Sequence, residues 1–392
     1  MFLHIDCNTF FASCEVASDP SLKGRPVVVA NDNEVGGGVI LALTPEAKAL
    51  GLKRGIPLFK VRQQLERDHV VIRPADHRKY SRISRQIMEA VQQQDLVVDF
   101  VQYSVDEFFG VMPLDDPDEM AHYARKVKEN ITATTDIPVS CGCSTTYTLA
   151  KTATRFAKDF PVFKGVCVLS PDKRESALAQ VKVADIWGVG RQLRKRLIRM
   201  DIETALDWAL RDEEEMRKTL STPAFRTYLE LRGIPAITLQ NKERQKSIMQ
   251  SHTFGLMVSD PVILRSHLMR FTERCCLTLR KQQSLCSQVS IFISTNPYRE
   301  DLPQFADGHS RNLPIPSSDT SLIMKAVGSL FDEVYRPGMS YKQAGVILTG
   351  IRACEGSQLD LFSEPADDRR RRLMATADSI NRKYGSNTIH FA

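Results

Sequence analysis

Short apolar runs and amphipathic stretches alternate along the first 170 residues of the chain. Apolar residues spaced three and four apart predict helices at 80–91, 120–131 and 147–158. Residues 97–112 predict two strands joined by a tight turn near Val105 and Asp106. Apolar runs bounded by turn residues predict further strands at 2–5, 27–30, 39–43, 70–72, 139–143 and 166–169. This alternation is typical of a mixed α/β domain.

The pattern changes after residue 170. Short basic helical segments surround residues 186–190, and the polar stretch 232–246 is typical of a linker. A second α/β unit follows, with helices predicted at 261–279 and 322–334 and strands at 289–293 and 344–351. Beyond residue 354 the chain is polar and acidic, then carries four consecutive arginines at 369–372 and a weak helical pattern to Tyr384.

Composition narrows the class of protein. Hydrophobic residues make up 42% of the chain and charged residues 26%, which predicts a globular protein with a sizeable core. No apolar run is long enough to cross a bilayer, and the first residues do not resemble a signal peptide. The nine cysteines lack the spacing of a zinc site or a disulfide framework, so we expect reduced thiols and a cytoplasmic location. The net charge of +6 only hints at a polyanionic partner.

Three acidic residues are the main candidates for chemistry. Asp6 ends the first predicted strand, whereas Asp106 and Glu107 lie at the tip of a later hairpin. If these carboxylates converge, a cation must offset their repulsion, and Mg²⁺ is commonly held by a few carboxylates and substrate phosphates. Two such ions can support an in-line phosphoryl transfer. The alternative is a solvated hairpin turn with Asp6 as an ordinary turn residue.

The acids lie in motifs that resemble those of a known family. Residues 6–15 (DCNTFFASCE) and 103–109 (YSVDEFF) resemble the two catalytic motifs of the Y-family, or translesion, DNA polymerases. The resemblance continues through residues 46–57, 149–153 and the WGVG segment at 187–190, so it covers nearly the whole chain in order. Within the family, residues 23–29 and the tail look most like the UmuC branch.

The resemblance implies a multidomain α/β (α+β) fold shaped like a right hand. The expected parts are a palm (1–10 and 78–166), fingers (11–77), a helical thumb with a helix-hairpin-helix (167–238), a linker (239–245), an α/β little finger (246–353) and a tail (354–392). No part of the chain is left for a proofreading domain, so low fidelity is expected.

The resemblance also assigns roles at the active site. Asp6 and Asp106 would bridge two Mg²⁺ ions. Glu107 would complete the coordination of the catalytic ion, and the backbone carbonyl of Cys7 would add a ligand. Phe11 would be the steric gate that excludes a 2′-hydroxyl. The other expected nucleotide-binding residues are Asn8, Thr9 and Phe10, mainly through backbone N–H groups, and the cations Lys48 and Lys158.

Two basic regions are expected to hold DNA. Residues 182–199 carry six basic side chains and one acidic side chain, and residues 241–354 carry 14 basic and nine acidic ones. In the first region, the turn and helix that resemble a helix-hairpin-helix would bind backbone phosphates. The residues expected to do so are Gly188, Gly190, Arg191, Arg194 and Lys195.

The tail contains the pentapeptide QLDLF, very similar to the peptide that docks bacterial polymerases on the sliding clamp. The expected clamp-binding residues are Gln358, Leu359, Leu361 and Phe362. Resemblance to the UmuC branch implies a UmuD′-like accessory subunit and RecA as further partners, and no membrane partner.

The sequence therefore predicts a metal-dependent, template-directed DNA polymerase of the translesion type. Its expected substrates are primed template DNA and deoxynucleoside triphosphates, and its expected role is SOS-type damage tolerance and mutagenesis. The alternatives left open are a stand-alone DinB-like polymerase, a two-metal nuclease or nucleotidyl cyclase, and a non-catalytic module that binds clamp and DNA.

Overall fold

The computed structural model describes residues 1–31, 38–94, 97–239, 244–354, 368–385 and 388–390. These residues form two compact units, Met1–Leu239 and Gln240–Ala392, which divide at the beginning of the predicted linker. The finer division into palm, fingers and thumb stays a prediction. Among the residues that the structure describes, no helix combines the length and apolar character needed to cross a membrane.

The first unit contains a five-stranded sheet, a three-stranded sheet and a set of helices. Its strands are β1 (Phe2–Cys7), β2 (Val27–Ala30), β3 (Ile40–Leu43), β4 (Val71–Pro74), β5 (Val98–Gln102), β6 (Glu107–Val111), β7 (Val139–Ser144) and β8 (Val166–Val168). Its helices are α1 (Phe10–Ser18), α2 (Pro45–Ala49), α3 (Leu58–Arg67), α4 (His77–Gln92), α5 (Pro117–Thr135), α6 (Tyr147–Asp159), α7 (Arg174–Leu178), α8 (Arg191–Ile198), α9 (Ala205–Ala209), α10 (Glu213–Thr219) and α11 (Thr222–Leu231). The mixed α/β class expected from the sequence is confirmed.

Strand β1 lies in the middle of the five-stranded sheet, whose order is β5-β6-β1-β7-β8. Alternate side chains of a strand point to opposite faces. Leu3 and Ile5 accordingly join a buried cluster with residues of α4 and α5. His4 bonds to Thr154 and Asp6 pairs with Lys158, so both face α6 on the other side. The alternation therefore directs Asp6 away from the apolar core.

A glycine lets helix α6 approach the sheet closely. A Cβ atom at Gly142 of β7 would lie 2.2 Å from the backbone nitrogen of Thr154 and 2.3 Å from the carbonyl oxygen of Ala150. Any larger residue would push α6 away, and α6 carries both Lys151 and Lys158. The small residue in the sheet thus determines how near these lysines come to β1.

The three-stranded sheet has the order β3-β2-β4, and β4 runs parallel to β2. It packs with α2 and α3 around a small apolar cluster of its own. Helices α7 to α11 share a separate core with α6, and the fully buried side chain of Trp208 lies within it. The buried Glu230 of α11 accepts hydrogen bonds from the N–H and hydroxyl of Thr148 at 2.7 and 2.8 Å.

The second unit is a five-stranded antiparallel sheet with helices. Its strands are β9 (Ile248–Val258), β10 (Ser284–Thr295), β11 (Ala306–Ser317), β12 (Tyr341–Thr349) and the short β13 (Arg352–Ala353), with the order β11-β10-β12-β9 and β13 paired to β10. Its helices are α12 (Pro261–Lys281), α13 (Thr320–Val334) and α14 (Asp368–Tyr384). Arg280 of α12 holds α14 through two hydrogen bonds to Asp378, at 2.7 and 2.8 Å.

Candidate active site

Backbone pairing brings the three acidic residues to one end of the sheet. Asp6 lies opposite Glu107 on β6 and opposite Ser140 on β7. The N–H of Cys7 donates to the carbonyl of Asp106 at 2.9 Å, which fixes the hairpin tip beside the end of β1. The sheet register therefore assembles residues that are about 100 positions apart in the sequence.

Two lysines of α6 pair with two of these carboxylates. Lys158 Nζ forms an ion pair with Asp6, and Lys151 Nζ donates to Glu107 Oε1 at 2.7 Å. Ser104 Oγ donates to the carboxylate of Asp106. Within the described part of the chain, no three acidic, histidine or cysteine side chains are arranged around a single metal position. In this structure the cations that offset the carboxylates are lysine ammonium groups.

The pKa of Asp6 lies above its ordinary value. Burial is the largest cause, and the negative charges of Glu107 and Asp106 add to it, while Lys158 opposes the rise. The negative charge of Asp6 therefore lowers the stability of the folded state. This is typical of a residue placed to bind a ligand.

We expect the variant Asp6→Asn to be more stable than the wild type at neutral pH. Because the pKa of Asp6 is higher in the folded state, this carboxyl contributes stability that is fully present below the unfolded pKa of about 3.9. That contribution is lost as the pH rises through the folded-state pKa. The stability difference should therefore disappear at low pH. Thermal unfolding with a chelator present, compared with the exposed control Asp115→Asn, measures it. A variant less stable than wild type at neutral pH would contradict this explanation.

The donor chemistry fits magnesium. The three side chains offer only carboxylate oxygens, which are hard ligands. Burial and the nearby Asp6 and Asp106 raise the pKa of the Cys7 thiol well above its usual range, so its sulfur stays protonated. Cys7 could then contribute only its backbone oxygen. A divalent cation would compete with Lys158 for the Asp6 carboxylate, whereas Lys151 contacts Glu107 through Oε1 and leaves Oε2 for the cation.

A cavity of about 250 Å³ opens beside Asp6. Its lining includes Lys151, Lys158 and Trp187, together with His4. The sequence motifs contain Lys151 and Trp187 without a role for either residue, and His4 was missed. The signal for His4 was its position two residues before Asp6 on the same strand, hence on the same face.

His4 is a buried neutral imidazole. Its Nδ1 lies 2.8 Å from Thr154 Oγ1, and its Nε2 lies 4.0 Å from Glu107 Oε1 without a hydrogen-bond partner among the described residues. Burial lowers its pKa well below the usual range, and the positive charges of Lys151 and Lys158 lower it further. His4 therefore adds no positive charge beside Glu107.

The structure at the beginning of α1 differs from the prediction for one phosphate contact, the backbone N–H of Asn8. The N–H of Asn8 already donates to the carbonyl of Pro138 at 2.8 Å, so Asn8 is not a free backbone donor. Thr9 precedes α1 in the left-handed region, with φ of 47°, and its side chain makes no capping hydrogen bond. The N–H groups of Phe10 and Phe11 lie in the first turn, where a helix has no internal acceptors to offer.

The two phenylalanines differ in their surroundings. Phe10 is buried in the main cluster of the first unit, whereas Phe11 is partly exposed and packs against its edge. The Phe11 ring stacks on Tyr80, with ring centroids 4.3 Å apart and planes 15° apart. The Tyr80 hydroxyl donates to the buried carboxylate of Glu15 at 2.7 Å. Phe11 is thus held in a fixed orientation.

Lys48 and the basic helix lie on the surface. Lys48 is exposed near the end of α2. Gly188 adopts a positive φ of 86°, which glycine tolerates best, whereas Gly190 caps α8 with an ordinary φ of −80°. The turn therefore requires only the first glycine. Arg191, Arg194 and Lys195 are exposed and make no ion pair with any described residue.

The predicted clamp-binding residues Gln358, Leu359, Leu361 and Phe362 lie outside the described residues. Nothing in the described part of the chain bears on them directly. They stay a prediction from the sequence.

Comparisons with known proteins identify the fold. A chimera of the Y-family DNA polymerases Dbh and Dpo4 superposes with a TM-score of 0.69 at 22% identity, covering 90% of this chain and 99% of the chimera. The fold is therefore that of a Y-family DNA polymerase.

Sequence matches extend this result. The impB/mucB/samB family matches residues 5–155, and the C-terminal domain of the same family matches residues 245–361. Protein UmuC of Salmonella typhimurium is 32% identical over 100% of this chain and 93% of its own length. DNA polymerase IV of Methanoculleus marisnigri is 29% identical over 84% of this chain and 88% of its own. The chain belongs to the impB/mucB/samB family of Y-family DNA polymerases.

Proposed function

We propose that the carboxylates at the end of β1 and β6 form the catalytic centre of a translesion DNA polymerase. The chain is a DNA-directed DNA polymerase of damage-induced mutagenesis. The observation that supports this centre is the pairing of Asp6 with Glu107 across two strands, with Asp106 tied to Cys7 at the same end. Metal dependence is a general property of this family.

In our proposal, Asp6, Asp106, Glu107 and the Cys7 carbonyl would hold two Mg²⁺ ions. When bound, the ions would activate the primer 3′-hydroxyl and offset charge on the departing pyrophosphate. The protein would align the reacting groups and keep the carboxylates in place, which is most of what phosphoryl transfer asks of an enzyme. Lys158, released from Asp6, would turn to the triphosphate.

Nucleotide binding would use the first turn of α1 and two lysines. The N–H groups of Thr9, Phe10 and Phe11 lie where the positive end of the helix dipole favours phosphate oxygens. Lys48 and Lys158 would add positive charge. Phe11 would lie under the sugar as the steric gate.

We propose that DNA binds through backbone phosphates at the α8 turn, where a Cβ at Gly190 would meet no neighbouring atom within 4 Å. That glycine is not needed by the turn itself, and its open surface would let a phosphate approach the backbone. Gly188, Arg191, Arg194 and Lys195 would complete the contact. The basic little finger would hold the duplex elsewhere. In this proposal the domains keep the boundaries stated in the sequence analysis.

We expect Arg194→Ala and Lys195→Ala to weaken DNA binding regardless of sequence. Each lost phosphate contact should reduce the slope of log K against log salt by about 1. Fluorescence anisotropy across a salt series measures this. The control is Lys126→Ala on α5. This helix packs on the face of the first unit's five-stranded sheet opposite α6. An unchanged slope in both thumb variants would contradict the assignment.

We propose the sliding clamp, a UmuD′-like subunit and RecA as partners. Clamp binding would use Gln358, Leu359, Leu361 and Phe362, because exposed leucine and phenylalanine in a polar segment are suited to an apolar pocket. A cytoplasmic location accompanies this proposal.

The clamp proposal predicts that the double variant Leu361→Ala with Phe362→Ala loses clamp capture in a pull-down. Removing both apolar side chains should lower retention at least about tenfold, the loss expected for interface anchors. Asp360→Ala, at the position directly before Leu361, is the matched control and should retain the clamp. Undiminished capture by the double variant would refute the proposal.

Primer extension tests the proposed function against its alternatives. With primed DNA, Mg²⁺ and all four deoxynucleotides, the chain should lengthen the primer as the template dictates, and chelation should stop it. Shortening of either strand would instead indicate the two-metal nuclease. Binding without extension or cleavage would indicate the non-catalytic module. Activity that needs no added subunit would favour a stand-alone DinB-like polymerase.

A further inference from the structure

Lys151 connects the catalytic hairpin with two aromatic rings. Its ammonium group donates to Glu107 Oε1 at 2.7 Å and lies 5.2 Å from the ring centroid of Tyr103 and 5.6 Å from that of Trp187. Ammonium groups within about 6 Å of an aromatic face are attracted to it. A flexible side chain is thus held on Glu107 by two rings.

The rings are themselves fixed to each other and to the hairpin. Trp187 Nε1 donates to the Tyr103 hydroxyl at 3.2 Å, and the rings meet edge to face with centroids 5.4 Å apart. The Tyr103 N–H donates to the Glu107 carbonyl at 3.0 Å. Trp187 also lies against Phe109, with ring centroids 5.7 Å apart. Tyr103 therefore contacts Glu107 through its backbone and Trp187 through its hydroxyl.

Trp187 directly precedes the turn proposed to bind DNA. The next residue, Gly188, has the positive φ that starts this turn, and Gly190 is the N-cap of α8. Neither ring is placed as a simple core residue would be, since Tyr103 is 45% exposed and Trp187 is only half-buried. Burial in the core therefore does not explain why these two rings surround an ammonium group.

We propose that Trp187, Tyr103 and Lys151 are positioning residues through which the DNA-binding turn at 188–190 orients the Glu107 carboxylate. The inference rests on the proposed function. A phosphate bound at the turn would fix Trp187, and Trp187 would fix Lys151 over its ring and on Glu107. The orientation of the Glu107 carboxylate would then be held more firmly when DNA is in place.

The test uses a Trp208→Phe parent, which leaves Trp187 as the only tryptophan in the chain. Trp208 is fully buried in the helical core of the first unit and does not line the cavity beside Asp6, so the parent should extend primers like the wild type. Adding Trp187→Ala should slow single-turnover nucleotide addition at saturating DNA about 10–100-fold, the usual effect of losing an outer-shell partner. The Kd for primed DNA should change little.

Two comparisons separate positioning from packing. Trp187→Phe keeps a ring beside Lys151 and should restore most of the rate. In a Lys151→Ala background, Trp187→Ala should have almost no further effect, because it acts through the missing ammonium group. Both the thermal midpoint and the Kd for DNA are measured for every variant.

The outcomes are distinct. A parent-like rate in Trp187→Ala, a loss confined to the Kd for DNA, or a full additional loss in the Lys151→Ala background would each overturn the proposal. If the wild-type chain itself does not extend a primer, the proposed function fails. The emission of Trp187 then still tests the contact: Lys151→Ala should change it without DNA or nucleotide, and unchanged emission would overturn it.

Discussion

Asp106→Asn should abolish primer extension, with a loss of at least about 1,000-fold in the rate of nucleotide addition, as expected when a metal-binding and charge-stabilising group is removed. The substitution keeps the shape of the side chain and its contact with Ser104, but it removes the negative charge. The structure should therefore persist while the chemistry stops. Single-turnover primer extension with saturating DNA measures the effect.

The matched control for this variant is Asp115→Asn, which removes the same charge from an exposed loop beyond β6. It should extend primers at the wild-type rate. DNA affinity of Asp106→Asn should stay close to that of the wild type, because the phosphate contacts lie elsewhere. Retention of a rate within tenfold of wild type would remove Asp106 from the catalytic centre.

Phe11→Ala should raise the incorporation of ribonucleotides relative to deoxynucleotides by about 100-fold or more, since the ring rejects a hydroxyl by occupying its space. The stack on Tyr80 prevents the ring from moving aside, and Tyr80 is held by Glu15. Selectivity should thus depend on the ring itself. The ratio of kcat/KM for the two sugars measures it.

Phe11→Tyr keeps a ring of the same width and should keep the selectivity. Phe59 on α3 is 64% exposed to solvent. Phe59→Ala removes this ring and should not change the ratio. Unaltered sugar discrimination in Phe11→Ala would show that another group excludes the 2′-hydroxyl.

The sequence predicted many of the local features of the fold. Strand β2 was predicted with its observed ends, and α4, α5 and α6 differ by a few residues at their ends, because buried strands and amphipathic helices have strong periodic patterns. Strands β9 and β11 were missed. They are the edge strands of the second sheet, largely exposed, and their polar residues, with prolines in β11, weaken the pattern.

Contacts between distant residues could not be predicted. Lys151 meets Glu107 across 44 positions and Trp187 meets Tyr103 across 84, and no local pattern signals either pair. The free N–H of Asn8 was also a wrong expectation. Its partner is the carbonyl of Pro138, which only the pairing of β1 with β7 brings near. Motif resemblance predicts the site residues, whereas the sheet register determines which residues lie beside them.

Extension through a single abasic site in the template tests the central claim most directly. The purified chain, alone and then with a UmuD′-like subunit and RecA, is given a primer that ends one nucleotide before the lesion. We predict Mg²⁺-dependent products that continue past the lesion, and none with Asp106→Asn under the same conditions. Products that stop before the lesion under every condition, or equal bypass by Asp106→Asn, would contradict the assignment of this chain as a translesion polymerase acting through these carboxylates.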